Sequence, residues 1–194
     1  MACRGQQSGV AQSPPSRVAT PPRAGQSPVE PKEFSSQRGR FTILFPGTPT
    51  EKDTSIDIIF VGRLDSREYK FAEHPTYYGV IYDDFAGDLE KDAERRNYAM
   101  NRMRDGGVSS GPNRRVLSES EVRLGSHPGR ALKISIPDGG IIRVRMYAVG
   151  RRLYQASVIT LGERSSPAVR RSAEKRALKF LDSFRLITPE AEVH

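Results

Sequence analysis

Arginine and tyrosine side chains that could bind an anion recur in one regular stretch of the sequence, residues 129–162. Apolar and polar residues alternate there, and Asp138-Gly139 and Gly150 occupy two turn positions, which predicts three antiparallel strands in a meander. A two-residue turn at Asp138-Gly139 would place Ile134 opposite Arg143 on one sheet face. That face would then carry Arg130, Arg143, Arg145, Tyr147 and Tyr154, bordered by Arg151 and Arg152.

The predicted face suits an anionic ligand, because guanidinium groups present a planar fork to carboxylate or phosphate and tyrosine offers a rigid amphipathic contact. A phospholipid head group, a polyanionic glycan or a nucleic acid would meet this chemistry. The alternative is structural: the arginine stems would cover apolar sheet while their charged heads pair with acidic residues of a helix. Tyr154 fits the core better than a ligand site. The residues assigned to ligand binding are Arg130, Arg143, Arg145, Tyr147, Arg151 and Arg152.

The other polar residues do not form a recognisable catalytic or metal-binding pattern. His74, His127 and His194 lack close metal-ligand spacing, and a single cysteine excludes a cysteine-based metal site. Asp83-Asp84 could bind a hard cation at a strand end, but such pairs more often cap turns. No Gly-x-Ser-x-Gly lies between a predicted strand and a predicted helix, and no glycine-rich loop has the context of a phosphate-binding loop. It therefore predicts a protein that is not an enzyme and needs no cofactor.

The N-terminal residues 1–38 are rich in Gln, Ser, Pro, Gly and Arg, which predicts a disordered tether. A single domain would span residues 39–188, followed by a C-terminal tail at 189–194. Ala2-Cys3 ahead of the polar segment is similar to the start of a processed bacterial lipoprotein, which makes Cys3 the candidate lipidation site. The alternative is an incidental cysteine in a polar tail. A formal net charge of +8 favours anionic partners.

Hydrophobic periodicity predicts the elements that position these residues. Because the meander is apolar in patches on both sides, the predicted fold class is α+β, an antiparallel sheet of about six to eight strands flanked by helices on both faces. Strands are predicted at 39–45, 76–82 and 115–124, the last a charged sheet edge, with a hairpin of 55–64 and 67–72 that turns at Asp65-Ser66. Helices are predicted at 88–104, ended by Gly106-Gly107, and from the Ser166 cap and Pro167 through Phe180 and Phe184.

Four phrases of the sequence resemble a family of bacterial envelope proteins whose architecture is similar to the PsbP fold of an extrinsic photosystem II subunit. The phrases are GRFTILFPGTP at 39–49, HPGR at 127–130, GRRLY at 150–154 and KFLDSF at 179–184. The resemblance covers residues 34–187 and implies a PsbP-like sandwich of helices around an antiparallel sheet. It brings no metal or photosystem site with it.

Together, these observations predict a non-enzymatic, exported or lipid-tethered module of the bacterial cell envelope. We expect it to lie on the periplasmic or outer-surface side and to bind or assemble with a protein partner, as a monomer or weak oligomer. Membrane contact would come through acylated Cys3. The alternatives are a cytoplasmic location and a protein that binds an anionic ligand through the arginine and tyrosine face.

Overall fold

The computed structural model describes residues 30–58, 62–162 and 166–187. These residues form ten strands, two α-helices and a 3₁₀ turn at Pro137–Gly139. The helices are α1 (Ala93–Ser109) and α2 (Pro167–Asp182). The strands are β1 (Lys32–Ser36), β2 (Phe41–Phe45), β3 (Thr50–Ile58), β4 (Gly62–Glu73), β5 (Thr76–Asp84), β6 (Arg115–Leu124), β7 (His127–Ile136), β8 (Gly140–Val149), β9 (Arg152–Thr160) and β10 (Arg185–Leu186).

The strands form two antiparallel sheets. The larger sheet has seven strands in the order β3-β4-β5-β9-β8-β7-β6, and the smaller has three in the order β1-β2-β10. The predicted meander of β7, β8 and β9 is therefore confirmed, as is the antiparallel α+β architecture. The predicted edge strand β6 lies at one end of the larger sheet, and its register shifts between Val116 and Ser118.

The predicted register between β7 and β8 is wrong by one residue. Ile134 pairs with Ile142, and Arg143 pairs with Lys133. The connection is a three-residue 3₁₀ turn in which Asp138 (φ 60°) and Gly139 (φ 79°) are both left-handed. A one-residue shift moves side chains to the opposite face, so the aliphatic residues of β7 line up with those of β8. Arg143 and Arg145 lie on the other face.

Buried side chains form two clusters, and neighbouring residues of β8 belong to different ones. Met146 belongs to the first cluster together with Ala99 and Met100 of α1, and we call this the α1-side core. Tyr147 belongs to the second cluster together with residues of α2 and of the three-stranded sheet, which we call the α2-side core. Its largest members are aromatic: Phe41, Phe45, Tyr69, Tyr78, Tyr82, Tyr154, Phe180 and Phe184.

Two predicted boundaries in the N-terminal half are wrong. β1 occupies residues that were assigned to the tether, because each of its five residues pairs with β2 and Phe34 packs on the aromatic α2-side core. Residues 1–29 lie outside the described part of the chain. Asp65-Ser66 lies within β4 rather than at a turn, where Ser66 pairs with Thr54 of β3 and with Asp83 of β5.

Helix α1 begins and ends later than predicted. Its N-cap is Asp92, whose side chain accepts a hydrogen bond of 2.9 Å from the backbone N–H of Arg95. The helix continues through Gly106-Gly107 to Ser109, because Val108 in its last turn packs against the α1-side core. That contact offsets the low helix propensity of glycine, about 1 kcal/mol per residue.

Helix α2 matches its predicted start. Ser166 is the N-cap, Pro167 takes the first helical position, and Ala173, Ala177, Phe180 and Leu181 are buried. Neither helix of the described residues is long and apolar enough to cross a membrane.

Candidate anion-binding cleft

A polar cleft of about 450 Å³ opens between α1 and the β6–β7 hairpin. We call it the α1 cleft. Gly125, with φ 62°, forms the tight turn that pairs Leu124 with His127 and thereby sets the hairpin register. That register places alternate residues of β6 and β7 on the face toward α1. The residues that define the cleft chemically are Arg96, Asn97, Met100, Glu121, Arg123 and Arg130.

Arg130 is the most firmly positioned cation of the cleft. Its Nη1 donates to Asn101 Oδ1 at 2.6 Å, and its Nη2 donates to Asn97 Oδ1 at 3.4 Å. Nη1 also lies 2.9 Å from Glu119 Oε1, but this carboxylate is shared with Arg104 at 3.3 Å. Arg104 also pairs with Asp105 at 2.9 Å, so Arg130 is oriented by two neutral amides and by a carboxylate that partly offsets its charge.

The other two cations of the cleft are held by neutral backbone oxygens. Arg96 Nη1 donates to the carbonyls of Leu89 at 3.1 Å and Glu90 at 3.0 Å. Arg123 Nη1 donates to the carbonyl of Ser126 at 3.0 Å. A carbonyl fixes the geometry of a guanidinium but carries no formal charge. Three guanidinium groups thus face the single lining carboxylate of Glu121, which leaves the cleft electropositive.

Glu90 ties the mouth of the hairpin to the segment that leads into α1. Its Oε1 lies 3.1 Å from His127 Nδ1, and its Oε2 accepts a 3.0 Å hydrogen bond from the backbone N–H of Gly150. The same segment is joined to the β8–β9 turn by the N–H of Leu89, which donates to the carbonyl of Gly150 at 2.7 Å. These bonds fix the position of the segment whose backbone carbonyls bind Arg96.

The predicted arginine face does not exist as one surface, because the register between β7 and β8 differs from the prediction. Arg130 faces α1, whereas Arg143 and Arg145 face α2 and form ion pairs with its two acidic residues. Arg143 pairs with Glu174, and Arg145 Nη2 lies 2.5 Å from Asp182 Oδ1. Both arginine side chains are largely covered, since 13% of the Arg143 side chain and 25% of the Arg145 side chain are exposed. This arrangement is the structural alternative considered for these arginines.

Arg151 and Arg152 are also held within the fold. Arg151 Nε donates to the carbonyl of Phe85 at 2.9 Å. Arg152 forms a two-pronged contact with Asp84, at 2.6 and 2.7 Å, and its guanidinium lies 4.1 Å from the ring centroid of Tyr82. Burial raises the pKa of that tyrosine to about 12.

Both tyrosines of the predicted face belong to the α2-side core. Tyr147 is 3% exposed and stacks on Phe184, with ring centroids 5.8 Å apart. Tyr154 donates its hydroxyl hydrogen to the carbonyl of Gly39 at 2.7 Å. Of the six residues assigned to ligand binding, Arg130 lines the α1 cleft, where its side chain is 15% exposed.

Sequence reasoning missed Arg96 and Arg123, although one signal pointed to the second. A two-residue turn at Gly125-Ser126 pairs Arg123 with Pro128 and Glu121 with Arg130, so it places these side chains on one face. Arg96 had no comparable signal, because its role depends on carbonyls at the end of an irregular segment.

The two carboxylates of Asp83-Asp84 point to opposite faces of β5, as expected for neighbours in a strand. Asp84 contacts Arg152, while Asp83 is 2% exposed and accepts a hydrogen bond from Ser66. Burial raises the pKa of Asp83 to about 6, whereas the hydrogen bond from Ser66 acts to lower it.

No group of three metal-ligating side chains occurs within residues 30–58, 62–162 and 166–187. Cys3 and His194 lie outside these ranges.

Comparison with known proteins supports the fold. No protein-family model matches the sequence, and no curated protein matches it. The solution structure of cyanobacterial PsbP (CyanoP) from Synechocystis sp. PCC 6803 is similar, with a TM-score of 0.51 and 11% identity over 84% of this chain and 96% of that chain. A Pseudomonas aeruginosa protein of unknown function, PA94, aligns over 77% of this chain and 94% of that chain at 10% identity. Its TM-score of 0.34 is too low to indicate a shared fold. The chain therefore has a PsbP-like fold, and at these identities the likeness extends to the fold alone.

Proposed function

We propose that this protein is a non-enzymatic binding module of the bacterial cell envelope and that it holds an anionic group in the α1 cleft. The observation that carries the proposal is the way the three cleft arginines are held. Arg96 and Arg123 are positioned by neutral backbone oxygens, and Arg130 by two amides and the Glu119 carboxylate, so the lining keeps positive charge that a ligand can meet.

The cleft suits a carboxylate or a phosphate group. Arg130 is fixed before a ligand arrives, which reduces the ordering cost of binding, and two further guanidinium groups can close around the same anion. Pro128 of the β6–β7 hairpin supplies apolar lining for the body of the ligand. Such a group could belong to a small molecule or to an acidic segment of an envelope protein. The lining offers cations and amides, which support binding and orientation rather than bond making.

We extend the proposal to the location of the protein, which we place on the periplasmic or outer-surface side of the envelope. Its support is the sequence of the N-terminal segment, in which Ala2-Cys3 precedes a polar stretch similar to a lipoprotein tether. About 30 residues of such composition have a root-mean-square span on the order of 30 Å. This reach would keep the folded domain near a membrane while leaving the α1 cleft accessible.

Titration of the full chain with inorganic phosphate and with citrate, at low salt, tests the cleft. We expect amide shifts in α1 and the β6–β7 hairpin, and a loss of affinity of about tenfold or more for Arg130→Gln, because a charge-assisted hydrogen bond contributes about 1.5–3 kcal/mol. Lys52→Gln on β3, at the opposite edge of the larger sheet from β6, also removes one exposed positive charge and serves as the matched control. Equal losses in both variants would show that the anions sense net charge alone, which contradicts the proposal.

Fractionation of cells tests the location. The gene is expressed with its native upstream sequence, and wild type is compared with Cys3→Ser. We expect acyl-chain mass and membrane association for the wild type and neither for the variant. Finding both proteins in the cytoplasm without acylation would remove the tether from the proposal and leave the cleft untouched.

A further inference from the structure

The outward side of α2 is basic and has one apolar residue at its centre. Arg171, Lys175 and Lys179 are exposed and follow one another at a spacing of four residues, which places them on one side of the helix. Leu178 lies among them with 41% of its surface exposed. Among the described residues, no ion pair engages these three cations.

The two acidic residues of α2 lie on the same surface and are exposed, Glu174 by 48% and Asp182 by 60% of the side chain. Their charge is offset from the sheet, because Arg143 pairs with Glu174 and Arg145 pairs with Asp182. The sheet thus neutralises the carboxylates of the helix that covers it. The outward surface of α2 keeps its positive charge as a result.

The basic side of α2 continues into an open groove of about 900 Å³ against the three-stranded sheet. Arg185 adds a fourth cation, Leu44 adds apolar surface, and Glu33 of β1 lines the groove on its far side. β1 begins at Lys32, next to the Glu33 that lines this groove. We call Arg171, Lys175, Leu178, Lys179 and Arg185 the α2 basic face.

We infer that the α2 basic face docks on the surface of an anionic phospholipid bilayer. Cations that surround an exposed leucine on a surface helix are typical of interfacial binding, in which the apolar side chain enters the head-group region while the cations meet lipid phosphates. Because Glu33 of β1 lines the groove beside this face, a lipid on Cys3 would bring the face near the same membrane. This last step rests on the proposed tether, whereas the face itself does not.

Two observations favour a bilayer over a nucleic acid. Exposed Leu178 has a place in the head-group region of a bilayer, whereas a phosphate backbone offers it none. Two of the three helix cations are lysines, whose compact charges suit diffuse negative potential better than two-pronged recognition of one phosphate. A nucleic acid is therefore an outcome of the test rather than the occupant proposed.

Vesicle sedimentation tests the inference with the full chain carrying Cys3→Ser, so that no lipid anchor contributes. The probes are phosphatidylcholine vesicles with and without phosphatidylglycerol. We expect partitioning to the anionic vesicles, and a loss of about fivefold for each cation removed in Lys175→Gln/Lys179→Gln. Leu178→Ser should weaken binding as well. The matched control is Lys52→Gln/Lys91→Gln, which removes two exposed charges elsewhere.

One variant tests the role of the buried arginines directly. Arg143→Gln releases the Glu174 carboxylate beside the basic face, so vesicle binding should fall, and adding Glu174→Gln should restore it. Equal partitioning to neutral and anionic vesicles would overturn the inference. So would tighter binding to duplex DNA than to vesicles, if it is insensitive to Leu178→Ser. Arg130→Gln should leave vesicle binding unchanged, which separates this inference from the proposed α1 cleft.

Discussion

The arginines on the two sides of the large sheet are held by different kinds of oxygen. On the α2 side, Arg143 and Arg145 each meet a carboxylate of the covering helix. On the α1 side, Arg96 and Arg123 meet backbone carbonyls, and Arg130 meets two asparagine side chains as well as the Glu119 carboxylate. The first arrangement uses charge to join two elements, and the second holds Arg96 and Arg123 by neutral oxygens that leave their charge uncancelled. Net charge alone would not distinguish these regions.

The largest effect that we expect concerns the core beneath the α2-side arginines. Phe180→Ala should lower the free energy of unfolding by about 3–5 kcal/mol, because Phe180 is 2% exposed and packs edge-on against Phe45 and Tyr78. Denaturant unfolding measures this cost. Leu178→Ala, on the outward side of the same helix, should cost less than about 1 kcal/mol. Similar costs for both variants would mean that α2 does not pack its Phe180 side against the core.

The second prediction concerns the ionisable group sealed on the α1 side. The pKa of Asp83 is about 6 in the folded state, above its unfolded value, so the folded state binds the extra proton between pH 4 and 6. The resulting stability is complete below about pH 4 and is lost as the pH rises through 6, up to about 3 kcal/mol.

Asp83→Asn stays neutral and removes this dependence. Unfolding curves measured from pH 4 to 8 should show the variant more stable than wild type at pH 8, with the difference disappearing toward pH 4. Curves that stay parallel across this range would contradict the assignment of a buried proton to Asp83.

A third prediction compares the two kinds of arginine in the same experiment. Arg143→Met breaks an ion pair and leaves Glu174 without its partner, so it should cost about 1 kcal/mol of stability. Arg143→Met/Glu174→Leu should recover most of that loss, because methionine fits the covered position of Arg143 and no carboxylate is left without its partner. Arg123→Gln should change stability by less than about 0.5 kcal/mol. A larger loss for Arg123→Gln than for Arg143→Met would reverse the comparison.

The smallest effect should come from the helix that forms one wall of the cleft. Gly106→Ala should stabilise the protein by about 0.5–1 kcal/mol, since a methyl group there meets no atom within 4 Å and alanine favours the helix. Thermal unfolding reports the gain, and phosphate affinity should be unchanged. Destabilisation would mean that the last turn of α1 does not hold its helical conformation.

Local signals in the sequence predicted much of the fold. The meander followed from alternation and turn residues, and the start of α2 followed from Ser166-Pro167. Errors arose where tertiary contacts outweigh local preference. Helix α1 continues through two glycines because Val108 packs against the α1-side core. β1 pairs with β2 because Phe34 packs against the α2-side core. The aromatic contacts of Phe34 with Phe45 and Tyr69 join residues that are distant in sequence.

The candidate site was less predictable than the fold, because it depended on one turn. A two-residue loop at Asp138-Gly139 would place Arg130 and Arg143 on the same face of the sheet. The three-residue turn that starts at Pro137 places them on opposite faces. No residue type reports such a difference by itself. The partners of Arg96 are carbonyl groups, which every residue carries, so their convergence on this side chain has no signature in the sequence.

The register shift in β6 has a consequence for crowding. At high protein concentration, exposed strand edges favour uncontrolled polymerisation. A second copy approaching β6 would meet a hydrogen-bond ladder that is out of step between Val116 and Ser118, among exposed charges at Arg115, Glu119 and Glu121. This edge therefore resists fibril-like addition, and many copies could share one surface without joining their sheets.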